Sequence, residues 1–394
     1  MLKVAIITRE FKPHTNFGGM ATFYDNLSES LINHGVHVEI FTQGVANKMI
    51  TIGDGIIVNY VTLNKIFGRS LLHCNPKKCF SRFCINLGKR LKSAFSQRHK
   101  KIKFDFIEVH EHMGLGLAFK DFDVPIITTI HTPLYYILRK FPKTIPKIKR
   151  NTISKILDIE SQAINASKSL IFLSNDMRNE VSKDIEINNL TSIYTMYNPC
   201  KIPETIHYDA FKQHKLKILY FGRLEERKGV HLLPQIFAIF QKHQINFELN
   251  IAGNDSTYKG SSMLKYLEGE FLNLNLNFNY FGFLNKDELG KKILENSVVI
   301  VPSLYDNSAF AAQEAMSYGR FTICSNKGGT SEYVGKYGLV FDPISRQSTD
   351  SMIESLKKSN ILDVAMKARN FSISKFSNTL YAERYLQIVK NALD

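Results

Sequence analysis

The composition of this chain excludes a small disulfide-bonded protein and an integral membrane protein. Its five cysteines form no CxxC pair, and no window reaches the roughly 18 apolar residues that span a bilayer. With 394 residues and a net charge of +15, it is long enough for two domains, and its charge is local: residues 77–103 and 139–150 hold 16 of the 51 basic residues and none of the 36 acidic ones.

The predicted elements start with the opening residues MLKVAIIT, a short β-branched run followed by charge. This run lacks the long apolar region and cleavage site of a signal peptide, so we interpret it as the first strand of a cytoplasmic protein. Similar runs then alternate with segments of helical periodicity along the chain. The predicted strands are KVAIIT, VHVEIFT, FDFIEVH, VPIITTIH, SLIFLS, TSIYTMY, LKILYFG, FELNIAG, FNYFGF, VVIVPS, FTICS and GLVF.

Strands that are buried on both faces and separated by helices indicate parallel sheets with right-handed crossovers. Residues 198–215 interrupt the series with Pro and polar residues, which predicts a linker. The fold class is therefore α/β, with two doubly wound Rossmann-like domains at residues 1–200 and 201–376. Such domains bind ligands where strands end and helices begin, so the chemistry is expected at those ends.

The first basic segment has the pattern of an interfacial amphipathic helix. Phe80, Phe83, Leu87 and Leu91 recur at helical spacing, while Lys and Arg occupy other positions. An ordinary solvated helix face is the alternative. Nucleic acid is not predicted as a partner, because aromatic residues are not interleaved for base stacking and no reader motif is present.

Two patterns imitate metal sites. His73 precedes Cys74, Cys79 and Cys84, but two successive four-residue gaps are not a usual zinc spacing. The DFD of residues 121–123 falls in a predicted turn before a strand. No metal site is predicted from either pattern.

The motif YFGRLEERKGVHLL, residues 220–233, places two cations at a strand end. Arg223 and Lys228 follow the strand, and Gly229 is expected to open a helix. Cations beside a helix N-terminus suit an anion with several oxygens, such as a diphosphate. The alternative is a solvated basic turn paired with Glu225 and Glu226.

A second motif, YDNSAFAAQEAMSYG, residues 305–319, has acids on both sides of a strand-to-helix junction. Ser308 is a predicted N-cap, and Gly319 a predicted helix end. Asp306, on the loop, can accept bonds from sugar hydroxyls, and Glu314, inside the helix, can hold a ribose diol. The first-turn amides would form a second anion site; they belong to Ala309, Phe310 and Ala311.

Together these stretches resemble the family-4 retaining glycosyltransferases of the GT-B fold, the glycosyl transferases group 1. GRLEERKG is similar to the family's Gly-Arg-Leu and Lys-Gly pair, and residues 306–334 are similar to its donor motif, an acid, seven residues and a Glu, with the Gly-Gly turn that follows. Residues 13–42 are similar to its N-terminal glycine loop, and TIHTP to the loop with its active-site His. The resemblance implies two domains facing each other across a cleft, with a C-terminal helix, about 377–394, packing back on the N-terminal domain.

The resemblance also implies residue roles. Arg223 and Lys228 would bind the donor diphosphate, Glu314 the ribose, and the loop around Phe283 the base, while His131 would lie at the reacting face. The implied donor-binding residues are Gly18, Gly19, Arg223, Lys228, Phe283, Leu284, Asn307, Ser308, Ala309, Phe310, Ala311 and Glu314; the implied catalytic residues are His131, Asp306, Arg223 and Lys228. His110 and His112 are acceptor-side candidates. Asp306 departs from the family pattern, which usually has Glu there.

The resemblance implies a retaining transfer of a sugar from a nucleotide diphosphate sugar, UDP being favoured, to an acceptor hydroxyl, with neither a metal nor another cofactor. The basic segments favour a glycan or lipid-linked acceptor and an anionic membrane surface on the inner face of the cell membrane. The expected setting is bacterial cell-surface polysaccharide or glycolipid synthesis. Two alternatives are a small soluble acceptor, such as a metabolite or antibiotic, and a non-catalytic partner of an active transferase that binds a glycan or protein.

Overall fold

The computed structural model describes residues 1–11, 18–62, 76–141 and 150–394, with the backbone alone for residues 76–85 and 150. These residues fall into two units. Unit 1 comprises Met1–Pro199 with Asn378–Asp394, and unit 2 comprises Cys200–Ser377. His73 and Cys74 of the zinc-like pattern lie outside the described residues, as do the side chains of its other two cysteines.

The described residues of unit 1 form an eight-stranded sheet. Its strands are β1 Lys3–Ile7, β2 His37–Gln43, β3 Lys48–Ile52, β4 Ile56–Val61, β5 Phe106–His110, β6 Ile126–Ile130, β7 Ser169–Phe172 and β8 Ser192–Thr195. They lie in the order β3-β4-β2-β1-β5-β6-β7-β8, and every neighbouring pair is parallel except β3 with β4. The helices among them are α1 Gly19–Asn33, α2 Pro76–Ile102, α3 Leu134–Lys140, α4 Arg150–Asn165 and α5 Asn175–Ser182.

Unit 2 contains a six-stranded parallel sheet and a small hairpin. Its strands are β9 Leu216–Phe221, β10 Phe247–Ala252, β11 Thr257–Tyr258, β12 Ser261–Ser262, β13 Asn279–Tyr280, β14 Val298–Val301, β15 Phe321–Ser325 and β16 Gly338–Phe341. The large sheet has the order β13-β10-β9-β14-β15-β16. The helices are α6 Leu233–Lys242, α7 Met263–Asn273, α8 Lys286–Leu294, α9 Phe310–Ser317, α10 Ser331–Val334, α11 Arg346–Lys358 and α12 Ile361–Phe376. The predicted α/β class with two parallel-sheet domains is thus confirmed.

Helix α2 carries the first basic segment, and its described side chains pack into the core of unit 1. Leu87, Leu91 and Phe95 are at most 2% exposed and belong to one apolar cluster under the sheet. The prediction that Leu87 and Leu91 face a membrane is therefore wrong, because the sheet already covers them. The side chains of Phe80 and Phe83 lie outside the described residues. No helix within the described ranges is long and apolar enough to cross a membrane.

The last helix, α13 Asn378–Leu393, belongs to unit 1 and packs against α1. Its Tyr385 hydroxyl donates to Glu108 Oε2 at 2.7 Å, and Thr129 Oγ1 donates to Glu108 Oε1 at the same distance. Tyr24 donates to Oε1 as well, at 3.3 Å. The predicted return of the C-terminal helix to the N-terminal domain is confirmed, and a fully buried carboxyl on β5 anchors it.

The buried carboxyl of Glu108 predicts that the stability of unit 1 depends on pH. Burial raises the pKa of Glu108 to about 8, against its hydroxyl partners. A raised pKa means that the folded state binds the proton more tightly than the unfolded state, so this contribution is complete below about pH 4.5 and is lost as the pH rises through about 8. Glu108→Gln cannot ionise, so we expect the variant to lose about 3 kcal/mol less stability than the wild type between pH 6 and 9, equivalent to about 9 °C.

Thermal melts followed by circular dichroism across that pH range measure this difference. Glu383→Gln, on the exposed face of the same helix, is the matched control and should follow the wild-type curve. Parallel curves for the wild type and E108Q would contradict the prediction.

Candidate functional site

The strand order of unit 2 reverses between β9 and β14. From β9 the chain continues to β10 on one side and later returns to β14 on the other. The loops after these neighbouring strands, residues 222–229 and 302–309, therefore lie side by side at the carboxyl edge of the sheet, where open α/β sheets bind ligands. Both motifs predicted to hold the donor include one of these loops, and the second continues into α9.

Glycine shapes the loop after β9. Gly229 has a φ of +70°, and a Cβ on it would lie 1.9 Å from the Pro302 carbonyl oxygen, so the two loops touch here. Gly229 precedes a helical segment, as predicted. It is the left-handed N-cap of the 3₁₀ turn Val230–Leu232, which is followed directly by α6 at Leu233.

Lys228 and Asp306 form an ion pair between the two loops. Lys228 Nζ lies 2.5 Å from Asp306 Oδ2, which also accepts a hydrogen bond from Ser303 Oγ at 3.2 Å. Burial raises the pKa of Asp306, but Lys228 and Arg227 outweigh burial and hold that pKa below its usual range. Asp306 is therefore ionised and engaged by a cation, and its contact with a sugar stays a prediction.

Two arginines lie beside this pair. Arg223 is 57% exposed, with its Nη2 3.3 Å from Glu225 Oε1. Arg227, which the sequence reasoning missed, donates from Nη1 to the Tyr305 carbonyl at 3.2 Å and from Nη2 to Glu225 Oε1 at 3.0 Å. The alternative of a solvated basic turn paired with Glu225 therefore holds for both arginines, since both pair with Glu225, and the guanidinium of Arg223 is the more open to solvent.

Helix α9 begins after the Asp306 loop. Its N-cap is Ala309 and not the predicted Ser308, since the Ala309 amide donates to Thr330 Oγ1 at 3.2 Å and the Ala309 carbonyl accepts the first intrahelical bond. The predicted free amide of Ala309 is thus wrong. The amides of Phe310 and Ala311 precede the first intrahelical donor and have no partner inside the helix, as in any helix start.

Glu314 lies on α9, one turn beyond its start, and is partly buried. Burial raises the pKa of its carboxyl to about 7, with Lys286 opposing. Asn307, earlier on the loop, is 4% exposed. Gly319 ends the helix region with a φ of +65°, as predicted.

The loop predicted to contact the base follows β13. Phe283 is 54% exposed, and Leu284 is partly buried. The Gly282 carbonyl accepts a hydrogen bond from the Gly253 amide at 2.7 Å, which joins this loop to the one after β10. An exposed aromatic ring at a strand end can stack on a base.

Unit 1 has its own reversal of strand order, between β1 and β5. Gly18 is the N-cap of α1 and Gly19 is its first residue, with no acidic residue in the first turn. A Cβ on Gly18 would lie 3.0 Å from Glu10 Oε2. The carboxylate of Glu10 thus lies beside the N-cap of this 15-residue helix, and the predicted contact of Gly18 and Gly19 with the donor stays a prediction.

His131 follows β6 on a loop that a buried acid holds. Glu111 accepts hydrogen bonds from the His131 and Thr132 amides at 2.8 and 2.7 Å. The His131 ring meets the Phe23 ring edge-on, with centroids 4.7 Å apart. Burial, with His112 adding, lowers the pKa of His131 to about 3, so the ring is neutral. His112 has a pKa lowered by burial and Arg9 to about 4.

A second buried acid, Glu160 on α4, fixes the next residues of this loop. Its carboxylate accepts hydrogen bonds from the amides of Leu134, Tyr135 and Met113 at 2.9, 3.0 and 2.7 Å. Leu134 and Tyr135 are the first residues of α3, where a carboxylate satisfies the exposed amides of a helix start. Glu111 and Glu160 were not identified from the sequence, because acids inside apolar segments become recognisable as loop supports only in the fold.

Comparison with protein families shows which family the chain belongs to. A model of the family described as Glycosyltransferase Family 4 matches residues 17–200, and one described as Glycosyl transferases group 1 matches residues 203–372. The chain belongs to the group 1 glycosyltransferases. The predicted GT-B fold and family are therefore confirmed.

One individual relative matches most of this glycosyltransferase, and another matches less than half of it. An uncharacterised glycosyltransferase of Methanocaldococcus jannaschii is 24% identical over 84% of this chain and 83% of its own. The lipopolysaccharide 1,2-N-acetylglucosaminetransferase of Salmonella typhimurium is 26% identical over 45% of this chain and 49% of its own.

Solved structures share the fold. Sucrose-phosphate synthase of Thermosynechococcus elongatus has a TM-score of 0.76 at 18% identity, with 99% of both chains covered. The Anabaena protein HepE, crystallised with UDP and glucose, has a TM-score of 0.69 at 15% identity, with 99% of this chain and 100% of its own covered. Among the described residues of this glycosyltransferase, no group of three or more His, Cys, Asp or Glu is placed to hold a metal ion.

Proposed function

We propose that this glycosyltransferase moves a sugar, with retention, from a nucleotide diphosphate sugar to an acceptor hydroxyl. The observation that carries the proposal is the set of cations and helix amides on the two touching loops of unit 2. Lys228, Arg223 and the first amides of α9 lie on loops that meet at Gly229 and Pro302. Such a set suits the two phosphates of a nucleoside diphosphate.

Glu314 and Phe283 complete the proposed donor site. Glu314 would hold the ribose hydroxyls, and its partial burial suits a bidentate acceptor at the inner end of the site. Phe283 and Leu284 would contact the base. UDP is the favoured nucleotide, and the structural likeness to a protein crystallised with UDP and glucose supports that choice.

The proposed mechanism is a front-face displacement. Arg223, Lys228 and the α9 amides stabilise the departing diphosphate, which takes the proton of the acceptor hydroxyl as the new glycosidic bond forms. His131, whose pKa is lowered by burial to about 3, orients the sugar through hydrogen bonds as a neutral ring. In this proposal the protein cations neutralise the diphosphate without a divalent metal.

The test is a donor screen followed by a hydrolysis assay. UDP-, GDP- and ADP-sugars are added separately, and the one that binds is expected to raise the melting temperature; the stabilised protein should then release free nucleoside diphosphate slowly from that donor in the absence of acceptor. Binding without release favours the non-catalytic alternative. No stabilisation by any donor contradicts the proposal.

We also propose that the acceptor is membrane-associated, in bacterial cell-surface polysaccharide or glycolipid synthesis. The similarity to a lipopolysaccharide transferase supports this setting. In this proposal the exposed lysines at the end of α2 bind the membrane electrostatically. The apolar residues Leu87 and Leu91 of the same helix do not take part, because they are buried in the core. A small soluble acceptor remains the alternative.

Vesicle flotation tests the membrane contact. Each basic residue near an anionic surface contributes on the order of 1 kcal/mol, so Lys100→Glu with Lys101→Glu is expected to lower recovery on phosphatidylglycerol vesicles by at least about tenfold. Lys357→Glu with Lys358→Glu, an exposed pair on α11 of unit 2, is the matched control. Equal wild-type recovery on anionic and on phosphatidylcholine vesicles would exclude electrostatic docking.

A further inference from the structure

Arg227 joins the two loops that carry the proposed donor site. Its backbone carbonyl accepts a hydrogen bond from the Leu304 amide at 2.8 Å, and its Nη1 donates to the Tyr305 carbonyl at 3.2 Å. The same Nη1 lies 3.9 Å from Asp306 Oδ1, and Nη2 lies 3.0 Å from Glu225 Oε1. One residue therefore contacts the loop after β14 at three consecutive positions.

The guanidinium of Arg227 is committed to the protein. Both of its terminal nitrogens have protein partners, and its side chain is 28% exposed, half the value for Arg223. A guanidinium presents its donors in a fixed planar fork. The fork of Arg227 spans Glu225, Tyr305 and Asp306, which leaves Arg223 as the arginine directed to solvent.

Asp306 lies between two cations. Its Oδ2 holds Lys228 Nζ at 2.5 Å, and its Oδ1 faces Arg227. An ammonium has three N–H donors, and Asp306 is the one hydrogen-bond acceptor of Lys228 Nζ in the part of the chain that the structure describes. Two donors of Lys228 are thus available for a ligand, and their direction depends on where Asp306 is held.

We propose that Arg227 is a positioning residue, which fixes Asp306 and thereby aims the free N–H groups of Lys228 at the donor diphosphate. Arg227 itself does not touch the donor. This inference rests on the proposed function, because it assumes that Lys228 binds a diphosphate. It also accounts for Asp at position 306, where the family usually has Glu. The short side chain of Asp306 binds Lys228 and Arg227 on the neighbouring loop.

The test is a double-mutant cycle on UDP affinity, measured by isothermal titration calorimetry. Arg227→Ala is expected to weaken UDP binding about tenfold, since the N–H groups of Lys228 would no longer be held towards the diphosphate and one hydrogen bond between charged groups contributes about that much affinity. If Arg227 acts through Lys228, then R227A combined with Lys228→Ala should bind UDP no more weakly than K228A alone. Full additivity would overturn the proposal.

A conservative variant separates charge from geometry. Arg227→Lys keeps the positive charge near Asp306 but cannot span the Tyr305 carbonyl and Glu225 together, so it should remain weakened. Wild-type affinity in R227K would show that charge alone matters and would overturn the positioning role. Arg369→Ala, which removes an arginine bonded to the carbonyls of Ser317 and Pro203, controls for stability and should change the UDP Kd less than twofold.

The pH profile of UDP binding reports on the charges around Lys228. Burial and Arg227 lower the pKa of Lys228, whereas Asp306 and Glu225 raise it. Removing Arg227 should therefore shift the alkaline loss of UDP affinity to higher pH, and an unshifted profile contradicts the inference. If the wild type binds neither UDP, GDP nor ADP, the proposed function fails; if it binds UDP and R227A binds it equally well, the inference alone fails.

Discussion

Lys228→Ala is expected to lower kcat/KM for sugar transfer by about 100- to 1000-fold, the usual effect of removing one group that stabilises transition-state charge. The ammonium lies on a short loop, partly buried, with two N–H groups beyond its bond to Asp306. In a partly buried site its charge acts more strongly on a departing diphosphate than it would in water. Arg223→Ala should fall in the same range, since Arg223 is the most exposed of the three cations on this loop.

Initial rates of nucleoside diphosphate release, with the donor found by the stabilisation screen, measure this effect. Lys327→Ala is the matched control, because Lys327 is also a partly buried lysine near this loop pair but forms its ion pair with Asp342, at 2.6 Å. K327A should keep activity within about threefold. Near wild-type rates in both K228A and R223A would remove the diphosphate assignment.

Most of the sheet architecture could be predicted from the sequence because central parallel strands have largely apolar sequences, although β4, which has the same character, was not predicted. β5 and β6 are buried at every position, so apolar and β-branched residues dominate their sequences, although β5 also contains the buried polar residues Glu108 and His110. The sequence of strand β3 does not have this apolar character. It is an antiparallel edge strand whose residues are mostly exposed, and an edge strand of this kind does not have an apolar run.

The candidate donor site was predictable where its signals are local. Arg223, Lys228 and Glu314 belong to motifs of fixed spacing within single loop-to-helix segments, and the structure places them near one switch point of unit 2. Arg227 was not predictable, because its importance comes from contacts with Tyr305 and Asp306, about 78 positions away. The same holds for Glu111 and Glu160, whose partners are backbone amides of another segment.

The amphipathic pattern of α2 shows why helical periodicity alone led to the wrong prediction of a membrane-facing surface. A stripe of Leu at helical spacing indicates an apolar face, but it does not say what covers that face. In the structure the sheet of unit 1 covers Leu87 and Leu91. The basic segment of the same helix also contributes to the fold, because Arg98 makes a bidentate ion pair with the buried Glu39 at 2.9 and 2.5 Å.

Gly229→Ala is expected to be among the most damaging single changes in unit 2. Its φ of +70° is strained for any residue with a Cβ, at about 1–2 kcal/mol. The added Cβ would also lie 1.9 Å from the Pro302 carbonyl oxygen, which is backbone and cannot turn aside. The two loops must separate, so we expect a total loss of at least about 3 kcal/mol, or roughly 10 °C in the melting temperature of unit 2.

Gly260→Ala separates the two causes. Gly260, in the same unit, also has a positive φ, +83°, but a Cβ there would meet no atom within 4 Å. Its cost should therefore be the dihedral strain alone, about 1–2 kcal/mol. Because the loops that separate in G229A carry Lys228 and Asp306, G229A should also lose UDP affinity, whereas G260A should keep it. Equal melting temperatures for the two variants would mean that the loops do not touch at Gly229, and the ion pair that joins them would then need another explanation.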